Sequence, residues 1–278
     1  SYAPDCTDEE FLAYLLTRQL RNEGSAYFRD GELHFSIKGT RSSGDMNTSL
    51  GNVLIVVCIK LMWRLRCGVK FKLGNNGDDS VSIMETRDGG RYCSFLVSHT
   101  EDLGFRLVVE EPIYIFEELE FCQCRPVWNG ERWVMVRNVS TLITKASMCL
   151  RPLNGKNDLK KWMSAVGICE GSLAAGIPVI QSFCKALIRN GKRCSKALIE
   201  EVRGDSNRFY HSDMKVEFRE IVPESRLSFY RAFGLLPEEQ IALEEYYDRY
   251  RLNQEVLCVP GYEAWDMKIP IEPITRLL

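Results

Sequence analysis

Two adjacent carboxylates, Asp78 and Asp79, follow Gly77 in the segment Leu73-Gly74-Asn75-Asn76-Gly77-Asp78-Asp79-Ser80-Val81-Ser82-Ile83. Neighbouring acids repel each other unless a cation shares their site. Hard oxygen donors of this kind suit Mg²⁺ or Mn²⁺. The chemistry such a pair supports is metal-assisted phosphoryl transfer. Residues 69–73 and 80–84 alternate in polarity as half-buried strands do. Gly and Asn punctuate the join, so the acids are expected at the tip of a hairpin. Taken alone, Asn-Gly-Asp-Asp is also a good solvated turn.

A second group of polar residues precedes it. Residues 39–52 read Gly-Thr-Arg-Ser-Ser-Gly-Asp-Met-Asn-Thr-Ser-Leu-Gly-Asn and run into an apolar stretch. Ser, Asp, Asn and Thr are good helix caps, so a helix is expected to start near Asn47 or Thr48. Gly44 lets the backbone approach a ligand closely. Thr48 and Asn52 are four apart and share one helix face. With Ser43 they could hold a ribose, and a plain capped helix is the alternative.

In this order, Ser-Gly-x3-Thr-x3-Asn, a helix and then Gly-Asp-Asp on a hairpin resemble motifs B and C of viral RNA-dependent RNA polymerases. The wording of residues 43–52 is most similar to tombusvirus-type and luteovirus-type polymerases of positive-strand RNA viruses. Residues 116–137 add a hairpin signal, Asn129-Gly130 between two strand-like runs. In its place after Gly-Asp-Asp this hairpin resembles motif E, which joins palm to thumb, although a generic structural hairpin reads the same way. The resemblance covers roughly residues 8–145.

The resemblance implies a right-hand polymerase, here partial. Its fold class is α+β: a palm with an antiparallel sheet and packed helices, plus a mostly helical thumb. Residues 1–138 would be palm (motifs B to E) and residues 139–278 a thumb-like region. The implied reaction is template-dependent transfer of ribonucleotides to an RNA 3′-OH with release of pyrophosphate, using two Mg²⁺ or Mn²⁺ ions. Asp78 would be the principal metal ligand and Asp79 would help position the ions. Ser43 and Gly44 would form the loop beside nucleotide and template. Thr48 and Asn52 would face the ribose, with Asn52 sensing the 2′-OH that separates RNA from DNA precursors. Implied partners are RNA template and nascent strand, nucleoside triphosphates, an upstream fingers and motif A region, and other viral replication proteins. The implied location is the host cytoplasm, at membrane-associated replication complexes.

The sequence departs from the family pattern in two places. No Asp-x4-Asp in a strand setting occurs in residues 1–38, and the basic fingers segment is missing. The chain therefore reads as the C-terminal part of a polymerase, and alone it is expected not to polymerise. No lysine lies between Lys72 and Lys145 to protonate the leaving pyrophosphate. Arg106 gives up its proton reluctantly and His99 reads as structural, so that role stays unassigned. Two other readings stand beside this one. Another palm-type nucleotidyltransferase, such as a reverse transcriptase or nucleotide cyclase, would show a different pattern around the acids. A non-catalytic RNA-binding or interaction module would suit the missing upstream acids.

The elements that must position these groups follow from hydrophobic period. Thr7 and an acidic turn open a helix to about Arg21, with an apolar stripe from Phe11 to Leu20. A hairpin turned at Asp30-Gly31 comes next. After Gly-Asp-Asp, a helix is expected over 91–103 and a strand over 105–109. From about Ser140 the period is helical. In that region Lys185, Arg189, Lys192, Arg193 and Lys196 form a basic cluster. It is either a solvated helix face or a contact for the phosphates of duplex RNA. Tyr246, Tyr247 and Tyr250 read as a core stripe in preference to a base-stacking platform.

Composition bounds the rest. The chain has 278 residues, 45% hydrophobic, with a net charge of -2. That gives no global nucleic-acid signature, but a polymerase needs only a local basic channel. The 11 cysteines lack a Cys-x-x-Cys pair and there are 3 histidines, which argues against zinc and for free thiols. The longest apolar run, residues 53–63, is interrupted by Lys60 and is too short to span a bilayer, so no transmembrane segment is expected.

Overall fold

The computed structural model describes residues 7–18, 20–39, 44–45, 47–149, 153–205 and 216–252. The chain packs as two compact units, Ser1–Glu111 and Pro112–Leu278. Helices and small antiparallel sheets are mixed, and each described sheet is a two-stranded hairpin.

In the first unit, α1 (Asp8–Arg18) opens with a capping box. Glu10 N donates to Thr7 Oγ1 at 3.3 Å, while Thr7 N donates to Glu10 Oε2 at 2.9 Å. Strands β1 (Arg21–Phe28) and β2 (Gly31–Lys38) pair with Phe28 opposite Gly31. The turn is therefore Arg29-Asp30, one residue ahead of the expected Asp30-Gly31. Helix α2 (Thr48–Cys67) starts after Asn47, where it was expected, without a side-chain cap bond from Asn47, and stops at Gly68. Gly68 takes φ 68°, and its N–H donates to Arg64 O at 3.0 Å.

Strands β3 (Lys72–Asn76) and β4 (Asp79–Ile83) form the acidic hairpin. The helix expected over 91–103 is two helices, α3 (Thr86–Cys93) and α4 (Leu96–Asp102). The backbone leaves helical geometry at Phe95, with φ -124° and ψ 9°. No strand forms over 105–109. A strand needs partners for its peptide groups, and among the described residues none pairs there. Trp63, Cys67, Val69, Tyr92 and Leu96 make the core, with Phe71, Met84, Cys93 and Leu107 packed on it.

In the second unit, β5 (Cys124–Trp128) and β6 (Trp133–Arg137) form a hairpin. Asn129 organises its tip, because Oδ1 accepts from Glu131 N at 3.1 Å and Arg132 N at 2.9 Å. Among the described residues six helices follow: α5 (Val139–Ser147), α6 (Lys156–Gly171), α7 (Ile180–Asn190), α8 (Lys196–Asp205), α9 (Pro223–Phe233) and α10 (Pro237–Arg249). Trp128 N donates to Ser228 Oγ at 2.9 Å and Arg125 Nη1 to Ala232 O at 2.7 Å, tying the hairpin to α9. By packing, then, this hairpin belongs to the second compact unit. Val127, Ile143, Met163, Phe183, Phe229, Leu243 and Tyr247 lie in one core. Tyr247 packs edge-on to Phe183 at 5.4 Å, the core role expected for that stripe. Cys58, Cys67, Cys93, Cys184 and Cys194 carry free thiols.

Candidate active site

The acidic hairpin is tight. Asn76 pairs with Asp79, leaving Gly77 and Asp78 as a two-residue turn. Gly77 has φ 68°, whereas Asp78 is not among the residues with positive φ. A positive φ at the first turn residue alone is the type II′ pattern, which glycine adopts without steric cost. The hairpin also needs Gly74, since a Cβ there would lie 2.9 Å from Val81 Cγ1 on the opposite strand. Asp78 and Asp79 are both exposed. Neither carboxylate makes an ion pair with the described residues, so both are available to an outside cation.

Asn75 holds the turn from within. Its Nδ2 donates to Gly77 O at 3.1 Å and to Asp79 O at 2.8 Å, on either side of Asp78. Both partners are carbonyl oxygens, so the amide orientation follows from the bonds themselves. The cost is on the other atom: Asn75 Oδ1 is buried with no hydrogen-bond partner.

Thr48 and Asn52 stand on the first turns of α2, half-buried and on one face. The loop ahead is closed by Thr48 N donating to Asp45 O at 2.9 Å. Gly44 takes φ 96°, and among the described residues no atom is recorded within 4 Å of where its Cβ would be. Ser43 lies outside the described residues. The same helix face continues to Lys60, Trp63 and Cys67, which are buried. Lys60 Nζ donates to Tyr92 OH at 3.1 Å, and Tyr92 OH lies 2.7 Å from Ser82 Oγ on β4. Trp63 Nε1 donates to Tyr92 O at 3.1 Å. These contacts connect the helix bearing Thr48 and Asn52 to the strand that begins at Asp79. Burial pulls the Lys60 ammonium below its ordinary 10.5 and pushes the Tyr92 phenol above its ordinary 10.0. His99 stacks on Trp63 at 5.0 Å, and Arg66 Nη1 sits 2.9 Å from its Nδ1, a core setting.

Asn75, Lys60 and Tyr92 were not singled out from sequence. The one available signal was Lys60, a charge inside an apolar helical run on the same face as Asn52.

The two acids fit a hard divalent cation by donor type, but they do not close around one. Among the described residues no group of three or more His, Cys, Asp or Glu side chains could hold a metal. Helix α2 also revises the membrane expectation. At 20 residues it is long and apolar enough, by length and composition only, to cross a bilayer. The apolar run counted from sequence ended at Trp63; the helix extends past it at both ends. A core helix that passes the same test is mostly buried, whereas this stretch is 11% buried, and its buried residues are Lys60, Trp63 and Cys67.

The basic cluster lies in the second unit and is partly committed to internal contacts. Arg189 Nη2 donates to Tyr247 O at 2.6 Å and Tyr250 O at 3.2 Å, serving carbonyls at the end of α10. Lys192 Nζ donates to Asn157 Oδ1 at 2.7 Å, and Lys185 Nζ sits 5.2 Å from the Phe218 ring centroid. Arg193 and Lys196 are exposed.

A tight carboxylate hairpin, with a hydroxyl- and amide-bearing helix tied to its base, is the kind of arrangement found in metal-dependent nucleotidyl-transfer enzymes. The chain belongs to the viral RNA-dependent RNA polymerase family, whose model matches residues 2–255. It is 40% identical over 260 residues to the RNA-directed RNA polymerase of Turnip crinkle virus, covering 92% of this chain and 32% of that one. It is 37% identical over 264 residues to the RNA-directed RNA polymerase of Tobacco necrosis virus (95% and 36%). The corresponding protein of Maize chlorotic mottle virus is 39% identical over 239 residues (86% and 25%). The chain thus spans between a quarter and little more than a third of the length of these relatives.

Proposed function

We propose that this chain carries part of the active centre of an RNA-directed RNA polymerase. The substrates are an RNA template, a nascent RNA strand and nucleoside triphosphates. In the reaction, the 3′-OH oxygen forms a bond to the α-phosphorus of the nucleotide, the bond to the β-phosphate oxygen breaks, and pyrophosphate leaves. Asp78 and Asp79 would hold Mg²⁺ or Mn²⁺. When bound, such ions neutralise phosphate charge and stabilise the attacking and leaving oxygens. With two carboxylates at the hairpin, further ligands would come from outside the described cluster, in keeping with an upstream acidic motif.

Ser43 and Gly44 would border the nucleotide, and Thr48 and Asn52 would face its ribose. An amide that bonds the 2′-OH is left short of a partner by a deoxynucleotide, which penalises DNA precursors. The first unit would belong to a palm and the α5–α10 region to a thumb, with the β5–β6 hairpin between them. Replication complexes in the host cytoplasm, with other viral replication proteins, are the setting this function implies.

The observation that carries the reading is Gly77-Asp78-Asp79 on a type II′ hairpin, tied through β4 to the helix of Thr48 and Asn52 in a chain of this family. The test is template-dependent ribonucleotide incorporation by a full-length polymerase containing this segment. Asp78→Ala should abolish incorporation while the protein still binds RNA. An active Asp78→Ala enzyme would overturn the site assignment.

A further inference from the structure

Lys60 is a buried lysine whose acidic neighbour is the Cys93 thiol and not a carboxylate. It is 7% exposed and Tyr92 3%, and no carboxylate among the described residues forms a salt bridge with it. Its bonding partner is a phenol. An ammonium has three donors and no acceptor. Tyr92 oxygen therefore accepts from Lys60 and shares a second hydrogen bond with Ser82 Oγ, 2.7 Å away, in which either oxygen can donate. The chain runs from Lys60 on α2 through Tyr92 on α3 to Ser82 on β4.

Packing holds the phenol still. The Tyr92 ring meets Phe71 edge-on at 5.2 Å, and Trp63 Nε1 holds its carbonyl. A Met and a Phe of similar shape would fill the same space without the desolvation cost that depresses the Lys60 pKa. Stability alone thus gives a poor account of the trio. What it does provide is a link at one defined spacing between two elements. Lys60 lies eight residues beyond Asn52 on the same face, about 12 Å along the axis. Ser82 lies three residues beyond Asp79 on β4, about 10 Å along the strand.

The geometry points to Lys60, Tyr92 and Ser82 as positioning residues that set the helix of Thr48 and Asn52 against the acidic hairpin. This rests on the polymerase reading above. Under it, the trio governs how well the ribose and the reacting phosphorus are placed together, and therefore how strongly a 2′-OH is required. None of the three is assigned a contact with the nucleotide.

The test compares kcat/KM for a ribonucleotide and its 2′-deoxy analogue in a full-length polymerase carrying this segment. Tyr92→Phe keeps the ring and its packing, so it removes only the hydroxyl. Tyr92→Phe, Lys60→Met and Ser82→Ala should each lower the ribose preference by roughly threefold to tenfold, the scale of one lost hydrogen bond. The loss should appear mainly in kcat for the ribonucleotide. Tyr92→Phe combined with Ser82→Ala should be no worse than either alone, because members of one chain are not additive. A preference that stays unchanged in Tyr92→Phe, whatever happens to its melting temperature, overturns the inference and leaves the polymerase reading standing. Additive losses in the double variant overturn it as well. A wild-type enzyme that incorporates no ribonucleotide overturns the polymerase reading and this inference with it.

Discussion

Asn75 offers a way to separate the shape of the acidic turn from its stability. Asn75→Ala removes two hydrogen bonds, at 3.1 and 2.8 Å, from the carbonyls of Gly77 and Asp79. At about 0.5–1.5 kcal/mol net for each bond, the loss is about 1–3 kcal/mol. The same substitution also removes Oδ1, a buried acceptor without a partner, whose desolvation costs about 1–3 kcal/mol. The two terms nearly cancel, so Asn75→Ala should unfold within about 1 kcal/mol of wild type. Asn75→Asp is different. It loses the same two donors, keeps a buried oxygen, turns its other oxygen toward two carbonyls, and adds a third negative charge to the hairpin. It should be the less stable variant by about 2 kcal/mol or more. Activity should order differently from stability: wild type above Asn75→Ala despite similar stability, because the turn that presents Asp78 has lost its internal tie. Denaturant unfolding gives the first ordering. Initial incorporation rates over a range of Mg²⁺ concentrations give the second, with Asn75→Ala needing more Mg²⁺. If Asn75→Asp unfolds no more easily than Asn75→Ala, the assigned donor geometry is wrong. If Asn75→Ala has a wild-type rate and Mg²⁺ dependence, the tie does not position the acids.

Other outcomes follow from the same contacts. Arg226 grips Glu244 with two bonds, at 3.0 and 2.8 Å, and Val179 N donates to Glu244 Oε1 at 2.9 Å. Glu244→Ala strands both donors, one on a residue already held at φ 62°, and should lower unfolding free energy by about 3 kcal/mol in a denaturant titration. Glu244→Gln, which keeps an acceptor for Val179, should cost less. Burial holds Lys60 below its ordinary 10.5, so the unfolded chain binds that proton more tightly. Its penalty is present below the folded pKa and fades as pH rises toward 10.5. Tyr92, held above its ordinary 10.0, acts in the opposite sense, and its contribution declines above that pH. The stability difference between wild type and Lys60→Met should therefore shift in favour of wild type as pH rises from the folded Lys60 pKa toward 10.5; a pH-independent difference would contradict the buried charge. In the basic cluster, Arg189→Ala should chiefly destabilise the end of α10. Arg193→Ala with Lys196→Ala should instead weaken RNA binding and reduce the salt slope by about 2. An unchanged slope would assign these residues to a solvated face.

The order of elements around the site was legible because each carries a local signal. Gly77 and Asn76 mark the hairpin, Asn47 and Gly68 bracket α2, and Thr7 with Glu10 spells out a capping box. Boundaries that depend on tertiary partners were less legible. The alternation over 105–109 is a fair strand pattern, yet a strand is a relation between two segments and no described partner pairs there. The β5–β6 hairpin was recognisable from Asn129-Gly130, but its attachment to α9 rests on Ser228 and Ala232, about a hundred residues downstream, which no local pattern announces. The same reasoning explains which site residues stood out. Asp78, Asp79, Thr48 and Asn52 are chemically conspicuous and close in sequence. Asn75 reads as turn punctuation until its two carbonyl partners are seen. Lys60 reads as a flaw in an apolar run until Tyr92, 32 residues away, is found against its ammonium. A residue that acts on substrate is betrayed by its own chemistry. A residue that positions another is defined by its partner, so it emerges only when the chain is folded.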